Sequence, residues 1–316
     1  MIGIAHIAAY IPHGRVDNRA RCAEFGVDEA FLAGKIGVER VARRAEGEDT
    51  ADLCEKAFAR LRQETALDPA AIDCLVVVTQ NPQGSGLPHT SSILHGRLGL
   101  PPHCACWDIS LGCSGFVHGL AIVRSFMEAQ GLRTGLLFTA DPYSKIVDPH
   151  DRNTAMIFGD GAAVALLAPA TAAAPLFAPV ASRFHTEGAR HRALENRAGV
   201  LSMDGRAVFN FSATAVPRQI DELLAGLGLA RGDVDLYLLH QGSRYIVDAI
   251  RQRLGLPAEK VPLGLADHGN LVSSSIPVML RDVLGRGDLR RIVLSGFGVG
   301  LAAATCLLER RPQAKE

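Results

Sequence analysis

The chain has 316 residues, 48% of them hydrophobic but only 5% aromatic, with 32 glycines and 33 basic against 33 acidic side chains. A net charge of zero excludes a broad phosphate-neutralising surface, and the apolar content excludes a disordered or fibrous chain. The composition fits an α/β enzyme with a core of Ala, Val, Leu and Ile, long enough for two domain-sized units or one duplicated body.

In chain order, the start Met1-Ile-Gly-Ile-Ala-His-Ile lacks the charged and apolar regions of a secretory leader, and no apolar run approaches a membrane span. Leu53, Cys54, Ala57, Phe58 and Leu61 fall on one stripe of a helix over 52–62, with Thr50 expected as its N-cap. The apolar run 72–79 reads as a strand buried on both faces. Further strands are expected over 105–109, 135–140, 162–167, 235–239, 291–295 and 301–308, and helices over 114–129, 206–227, 244–254 and 274–284. This alternation predicts mostly parallel sheets covered by helices. The cysteines at 22, 54, 74, 104, 106, 113 and 306 form no CxxC pair and read as reduced thiols of a cytoplasmic protein.

The sequence also matches itself. Leu67-Asp-Pro-Ala-Ala-Ile-Asp73 lies over Leu229-Ala-Arg-Gly-Asp-Val-Asp235, Gly112-Cys113 over Gly269-Asn270, Leu132-Arg133 over Leu289-Arg290, and Phe158-Gly-Asp-Gly-Ala-Ala over Phe297-Gly-Val-Gly-Leu-Ala. The blocks keep the same order, which points to an internal duplication. Two α/β halves are expected, 1–169 and 170–316, joined through the Ala- and Pro-rich stretch 169–179.

Three polar residues stand at strand-to-helix turns. Cys113 sits in Asp108-Ile-Ser-Leu-Gly-Cys-Ser-Gly, a setting in which a helix N-terminus stabilises thiolate and lowers the thiol pKa. His240 ends an apolar strand and precedes Gln241-Gly242-Ser243, at the sheet edge where α/β folds bind ligands. Asn270, in Asp267-His268-Gly269-Asn270, reads as an N-cap or turn residue when taken alone. Neither a well-placed GxGxxG nor a metal-ligand cluster is present, so NAD and metal chemistry have no support in the sequence.

Taken in order, Gly-Cys113-Ser-Gly, His240-Gln, His-Gly-Asn270 and Gly296-Phe-Gly-Val-Gly300 resemble the β-ketoacyl-acyl carrier protein synthase III family of thiolase-like condensing enzymes. The resemblance spans nearly the whole chain and includes Gly34-Lys-Ile-Gly37, Asp148-Pro-His-Asp-Arg152 and Met203-Asp-Gly205. It implies a thiolase-like αβαβα layered fold of two duplicated halves, a homodimer, no bound cofactor, and acyl-CoA or acyl-carrier-protein thioesters as substrates. It further implies that Cys113 takes an acyl group, that the N–H groups of Cys113 and Val299 form the oxyanion hole, and that His240 and Asn270 hold the carbonyl of a malonyl extender during decarboxylative Claisen condensation. Phe31, Leu87, Arg152, Gly205, Phe209, Ser243 and Phe297 are the implied substrate-binding positions.

The chain also departs from the family pattern. Ser243 replaces an asparagine, the arginine after the histidine is displaced to Arg244, the only tryptophan is Trp107, and Leu87 stands where the family often carries an aromatic reaching across the dimer. Leu87 leaves room for a longer or branched acyl chain. Arg244, Arg251 and Arg253, with the basic segments 35–44 and 281–291, are expected to dock an acidic carrier protein or to form a solvated face. Two other readings use the same residues: acyl transfer to an alcohol or amine without decarboxylation, and an idle partner subunit of a heteromeric synthase.

Overall fold

A computed structural model describes residues 1–169 and 177–311. The N-terminal part runs β1 (Ile2–Tyr10), β2 (Gly14–Asp17), α1 (Cys22–Phe25), α2 (Glu29–Phe31), β3 (Arg40–Arg43), α3 (Thr50–Glu64), β4 (Cys74–Val78), α4 (Thr90–Arg97) and β5 (Ala105–Ile109). It continues with α5 (Gly115–Gln130), β6 (Gly135–Ala140), α6 (Arg152–Ala155) and β7 (Ala162–Pro169). The C-terminal part contains β8 (Phe177–Thr186), β9 (Leu194–Arg197), β10 (Val200–Met203), α7 (Gly205–Ala225), β11 (Leu236–Leu239), α8 (Arg244–Arg253), α9 (Ser275–Val283), β12 (Arg291–Gly298) and β13 (Ala302–Arg310). The junction stretch expected at 169–179 falls mainly on residues outside those described.

Nine strands pair in the order β11-β12-β13-β8-β1-β7-β6-β4-β5. Only β4–β5, β4–β6 and β11–β12 are parallel, while β1–β7, β6–β7, β12–β13 and β8–β13 are antiparallel. This corrects the mostly parallel sheet expected from the sequence. The turn between β12 and β13 is too short for a parallel crossover, which needs a dozen or more residues.

The block β1, β4–β7 and the block β8, β11–β13 meet through a single residue pair, Ile4 with Phe177. Between their inner faces lie α5 and α9: Val76 and Val78 of one block and Leu294 and Leu308 of the other share a core with Phe116, Leu120, Ile276 and Leu280. Helices α3 and α4 cover the first block through Leu53, Phe58 and Leu94, and α7 with α8 covers the second through Val216, Ile220 and Ile250. The result is a thiolase-like αβαβα stack. The matched sequence blocks also make matched hydrogen bonds. One oxygen of Asp73 accepts from the N–H groups of Arg133 and Thr134, and one oxygen of Asp235 accepts from those of Arg290 and Arg291.

Local signals set the helix ends. The N-cap of α3 is Asp49, not Thr50: its carboxylate accepts from the Thr50 N–H, and the Asp52 carboxylate returns a bond to the Asp49 N–H. This reciprocal pairing satisfies N–H groups that the first helical turn leaves free. Pro217 lies inside α7, where a proline has no N–H for the carbonyl four residues earlier. That carbonyl, of Ala213, instead accepts a 2.8 Å bond from the Arg253 guanidinium.

Two loops far apart in sequence meet in a short parallel bridge, Phe158 with Asn270. The Gly159 N–H donates to the Asn270 carbonyl and the Asn270 N–H to the Ile157 carbonyl, at 3.0 and 2.8 Å. A Cβ at Gly159 would collide with the His268 carbonyl oxygen. Gly159→Ala is therefore expected to lower stability by ~1–3 kcal/mol, read as a lower urea midpoint, and to reduce activity by displacing Asn270.

Candidate active site

Cys113 follows β5 and opens α5, His240 follows β11, and Asn270 is held by the Phe158 bridge. All three side chains reach one cavity of about 500 Å³. Its roof comes from the 31–36 segment, the β9–β10 hairpin and the first turns of α7 and α8. Phe31, Gly205, Phe209, Ser243 and Phe297 line it as expected. Lys35, Met203 and Tyr245 line it too and were not among the expected positions; Tyr245 stands one residue past the displaced arginine.

Leu87 and Arg152 do not line this cavity. Leu87 is 89% exposed in the loop before α4, and Arg152 borders a neighbouring depression that shares Phe31 and Gly205. Trp107 is also remote from the mouth, packed edge-on against Phe126 at 4.9 Å. At the mouth itself Phe209 and Tyr245 stack at 4.8 Å, and the Lys35 Nζ sits 3.4 Å over the Tyr245 ring. This cation–π stack occupies the rim with aromatic surface.

Most of the basic residues expected at the rim are committed within the chain. Arg253 fills the carbonyl left by Pro217, and Arg251 pairs with Asp248 and the Leu256 carbonyl. Arg43 donates to the Phe158 carbonyl, Arg40 pairs with Asp267, Arg281 with Asp282, Arg286 with Asp288, and Arg291 with Glu309. Arg244 packs against Gly37, and its buried Nε makes no hydrogen bond. Ser243 is used locally as the N-cap of α8, accepting from the Ile246 N–H.

All seven cysteines are free thiols. Burial raises Cys54, Cys74 and Cys306, and it also pushes the Cys113 thiol up to about 12, with the Asp141 charge adding to the effect. The backbone N–H groups of Val299 and of Cys113 itself act in the opposite direction. The low-pKa thiolate expected at the helix terminus is thus corrected: in a dry site, desolvation outweighs those donors. Burial likewise pushes His240 down to about 3, opposed by the Val272 backbone, and its Nδ1 makes no hydrogen bond. The ring lies edge-on to Phe297 at 5.5 Å. Thiol and imidazole therefore rest as a neutral pair.

Asn270 is oriented by its own turn. Its Oδ1 accepts from the Val272 N–H at 2.8 Å, leaving the amide nitrogen free to donate. Val272 pays for this with φ 53, an unfavourable backbone region for a β-branched residue. The site can accordingly present a sulfur nucleophile with two N–H groups beside it, and separately an imidazole and an amide as neutral donors. With the thiol at about 12, alkylation of Cys113 by iodoacetamide is expected to keep rising with pH throughout the range of about 6 to 10, without the plateau a low-pKa thiolate would give.

Comparison with known proteins agrees with this geometry. Residues 107–188 match the family 3-oxoacyl-[acyl-carrier-protein] synthase III, and residues 224–310 match its C-terminal domain. The beta-ketoacyl-[acyl-carrier-protein] synthase III of Lactococcus lactis subsp. lactis is 30% identical, covering 96% of this chain and 98% of the relative. A crystal structure of a 3-oxoacyl-(acyl-carrier-protein) synthase III is 32% identical with a TM-score of 0.90, covering 98% of this chain and 99% of that one. The priming beta-ketosynthase of the R1128 polyketide biosynthetic pathway is 25% identical with a TM-score of 0.88, covering 100% of this chain and 97% of that one. The chain belongs to the 3-oxoacyl-[acyl-carrier-protein] synthase III family of condensing acyltransferases.

Proposed function

We propose that this enzyme forms a 3-oxoacyl thioester by decarboxylative condensation on Cys113, with His240 and Asn270 as the donors that stabilise the extender's enolate. The observation that carries the reading is the convergence of a buried thiol, a neutral imidazole and an oriented amide in one apolar cavity. In the first half-reaction the Cys113 sulfur attacks an acyl thioester, the carbon–sulfur bond to the donor breaks, and the proton of Cys113 leaves with the departing thiol. Charge on the carbonyl oxygen is met by the N–H groups of Cys113 and Val299, which already face the sulfur. In the second half-reaction a malonyl thioester loses carbon dioxide. The electron pair of the broken carbon–carbon bond moves into an enolate whose oxygen accepts from His240 and Asn270. The enolate carbon attacks the acyl carbonyl, and Cys113 is expelled and recovers a proton.

Neutral donors suit this chemistry because a charged imidazole would protonate the enolate carbon before it could attack. Dryness strengthens each hydrogen bond to the developing charge and keeps water from the acyl-sulfur bond. The substrates are acyl-CoA or carrier-bound thioesters, and Arg244 with Lys35 and Arg206 at the mouth supports approach of an acidic carrier. Arg251 and Arg253 are withdrawn from that role because internal carbonyls hold them. The exposed Leu87 supports a homodimer that would bury it near the partner's acyl tunnel. The paired Asp73 and Asp235 hydrogen bonds support the division into duplicated halves, 1–169 and 170–316. No helix among the described residues is long and apolar enough to cross a membrane, and the free thiols support a cytoplasmic setting.

Incubation with acyl-CoA is expected to add one acyl mass to Cys113, seen by intact-protein mass spectrometry and absent in Cys113→Ala. Asn270→Ala is expected to cut carbon dioxide release from malonyl thioester by about a hundredfold or more while leaving Cys113 acylation largely intact. Acylation without any carbon dioxide release in the native enzyme would instead favour transfer to an alcohol or amine, and a Cys113 inert to every thioester would favour an idle subunit. A homodimer mass is expected by sedimentation equilibrium, reduced toward a monomer in Leu87→Asp.

A further inference from the structure

Asp141 is a fully buried carboxyl that the reaction above does not use. It closes β6, and its two oxygens reach two different loops. Oδ1 accepts from the Gln80 backbone N–H at 2.7 Å and from the Thr79 hydroxyl at 3.4 Å. Oδ2 accepts from the Ser273 hydroxyl at 2.6 Å. Every one of these partners donates, so the site is built for a carboxylate.

Each loop leads directly to a reacting group. The Gln80 side-chain oxygen, which also accepts from the Tyr143 hydroxyl at 3.1 Å, occupies the space that a Cβ at Gly112 would need. The turn carrying Cys113 therefore rests on Gln80. Ser273 directly follows Val272, whose N–H fixes the Asn270 amide and whose backbone lies at φ 53. A strained turn persists only where its surroundings over-determine it, and the Ser273 bond to Asp141 supplies one such restraint.

We infer that Asp141 is a positioning residue with two arms, one setting the nucleophile's turn and charge environment, the other holding the Asn270 turn in its donating geometry. The titratable groups that face it are Cys113, Tyr143 and Cys54, and none of its hydrogen-bond partners is a cation. Burial pushes the Asp141 carboxyl up to about 6 against these donors, so above that pH its negative charge falls on Cys113 without a neighbouring cation among those partners to offset it. The cost is a less acidic thiol; the return is a rigid donor for the second half-reaction. The decarboxylation arm rests on the condensing function proposed above, whereas the arm to Cys113 does not.

The test uses the full-length enzyme, Asp141→Asn and Ser273→Ala, with iodoacetamide alkylation of Cys113 followed against pH alongside the separate rates of Cys113 acylation by acyl-CoA and carbon dioxide release from malonyl thioester. Asp141→Asn removes the charge and mismatches the Ser273 donors. Its alkylation profile is expected to move about one pH unit lower, and its carbon dioxide release to fall by about tenfold or more relative to acylation. Ser273→Ala keeps the charge, so it is expected to lose carbon dioxide release with an unmoved alkylation profile. Partial unfolding would also lower the alkylation profile by wetting Cys113, so Asp141→Asn is read together with an unchanged urea midpoint and retained acylation by acyl-CoA, and Ser273→Ala carries the test if Asp141→Asn does not fold. An unmoved alkylation profile in Asp141→Asn, or equal loss of both half-reactions in both variants, would overturn the inference. A native enzyme that releases no carbon dioxide overturns the condensing reading, and the alkylation profile still decides the arm to Cys113.

Discussion

Cys113, His240 and Asp141 have been taken out of water together, and the chemistry of the site follows from the desolvation that this imposes. A buried charge without a close partner is costly, so the thiol keeps its proton and the imidazole stays without one. What remains is a set of neutral donors beside a sulfur that becomes anionic only when an incoming or departing group shares the charge. The site offers strong hydrogen bonds at the moment charge develops, because those bonds form where water cannot compete.

That dryness is purchased by close backbone approach. Glycine at 159 lets the loop after α6 pair with the Asn270 loop, and β12 passes so near the nucleophile that a Cβ at Gly298 would lie 2.8 Å from its sulfur. The central layer around α5 and α9 is packed mainly by Val, Leu, Ile and Ala, with Phe116, Phe126, Phe177 and Trp107 as its rings. Phe31, Phe209 and Tyr245 lie at the cavity roof and mouth, where they shed water from an entering acyl chain.

The zero net charge also acquires a structural meaning. Arginines that look like a docking face in one dimension are mostly held within the chain: Arg253 replaces the N–H that Pro217 lacks, Arg43 ties the bridge at Phe158, and Arg251 bonds Asp248 and the Leu256 carbonyl. Most charges on the basic segments are paired locally, while Lys35 and Arg206 line the cavity and Arg244 packs nearby against Gly37.

Cys113 and His240 stood out in the sequence because each has a telling neighbourhood, an apolar strand before it and a glycine turn beside it, and because backbone rules of strand, turn and helix act over a few residues; Asn270 was singled out only by its place in the ordered motifs. The α/β class was read from alternation and the two halves from the ordered repeat, whereas the αβαβα layering was implied by the family resemblance. Thr50 as a cap failed by one residue since both Asp49 and Thr50 carry a capping oxygen, and only the backbone angles choose between them. The strand directions, the upward push of burial on the thiol, the inward use of Arg251 and Arg253, and the grip of Asp141 on Gln80 and Ser273 lay beyond any local pattern. They depend on desolvation and on partners more than fifty residues away in several cases, which exist only once the sheets have closed over α5 and α9. The sequence by itself determined which residues could react and at which turns; the tertiary structure decided how dry the site is and which donors meet there, because burial and long-range hydrogen bonds are properties of the packed chain alone.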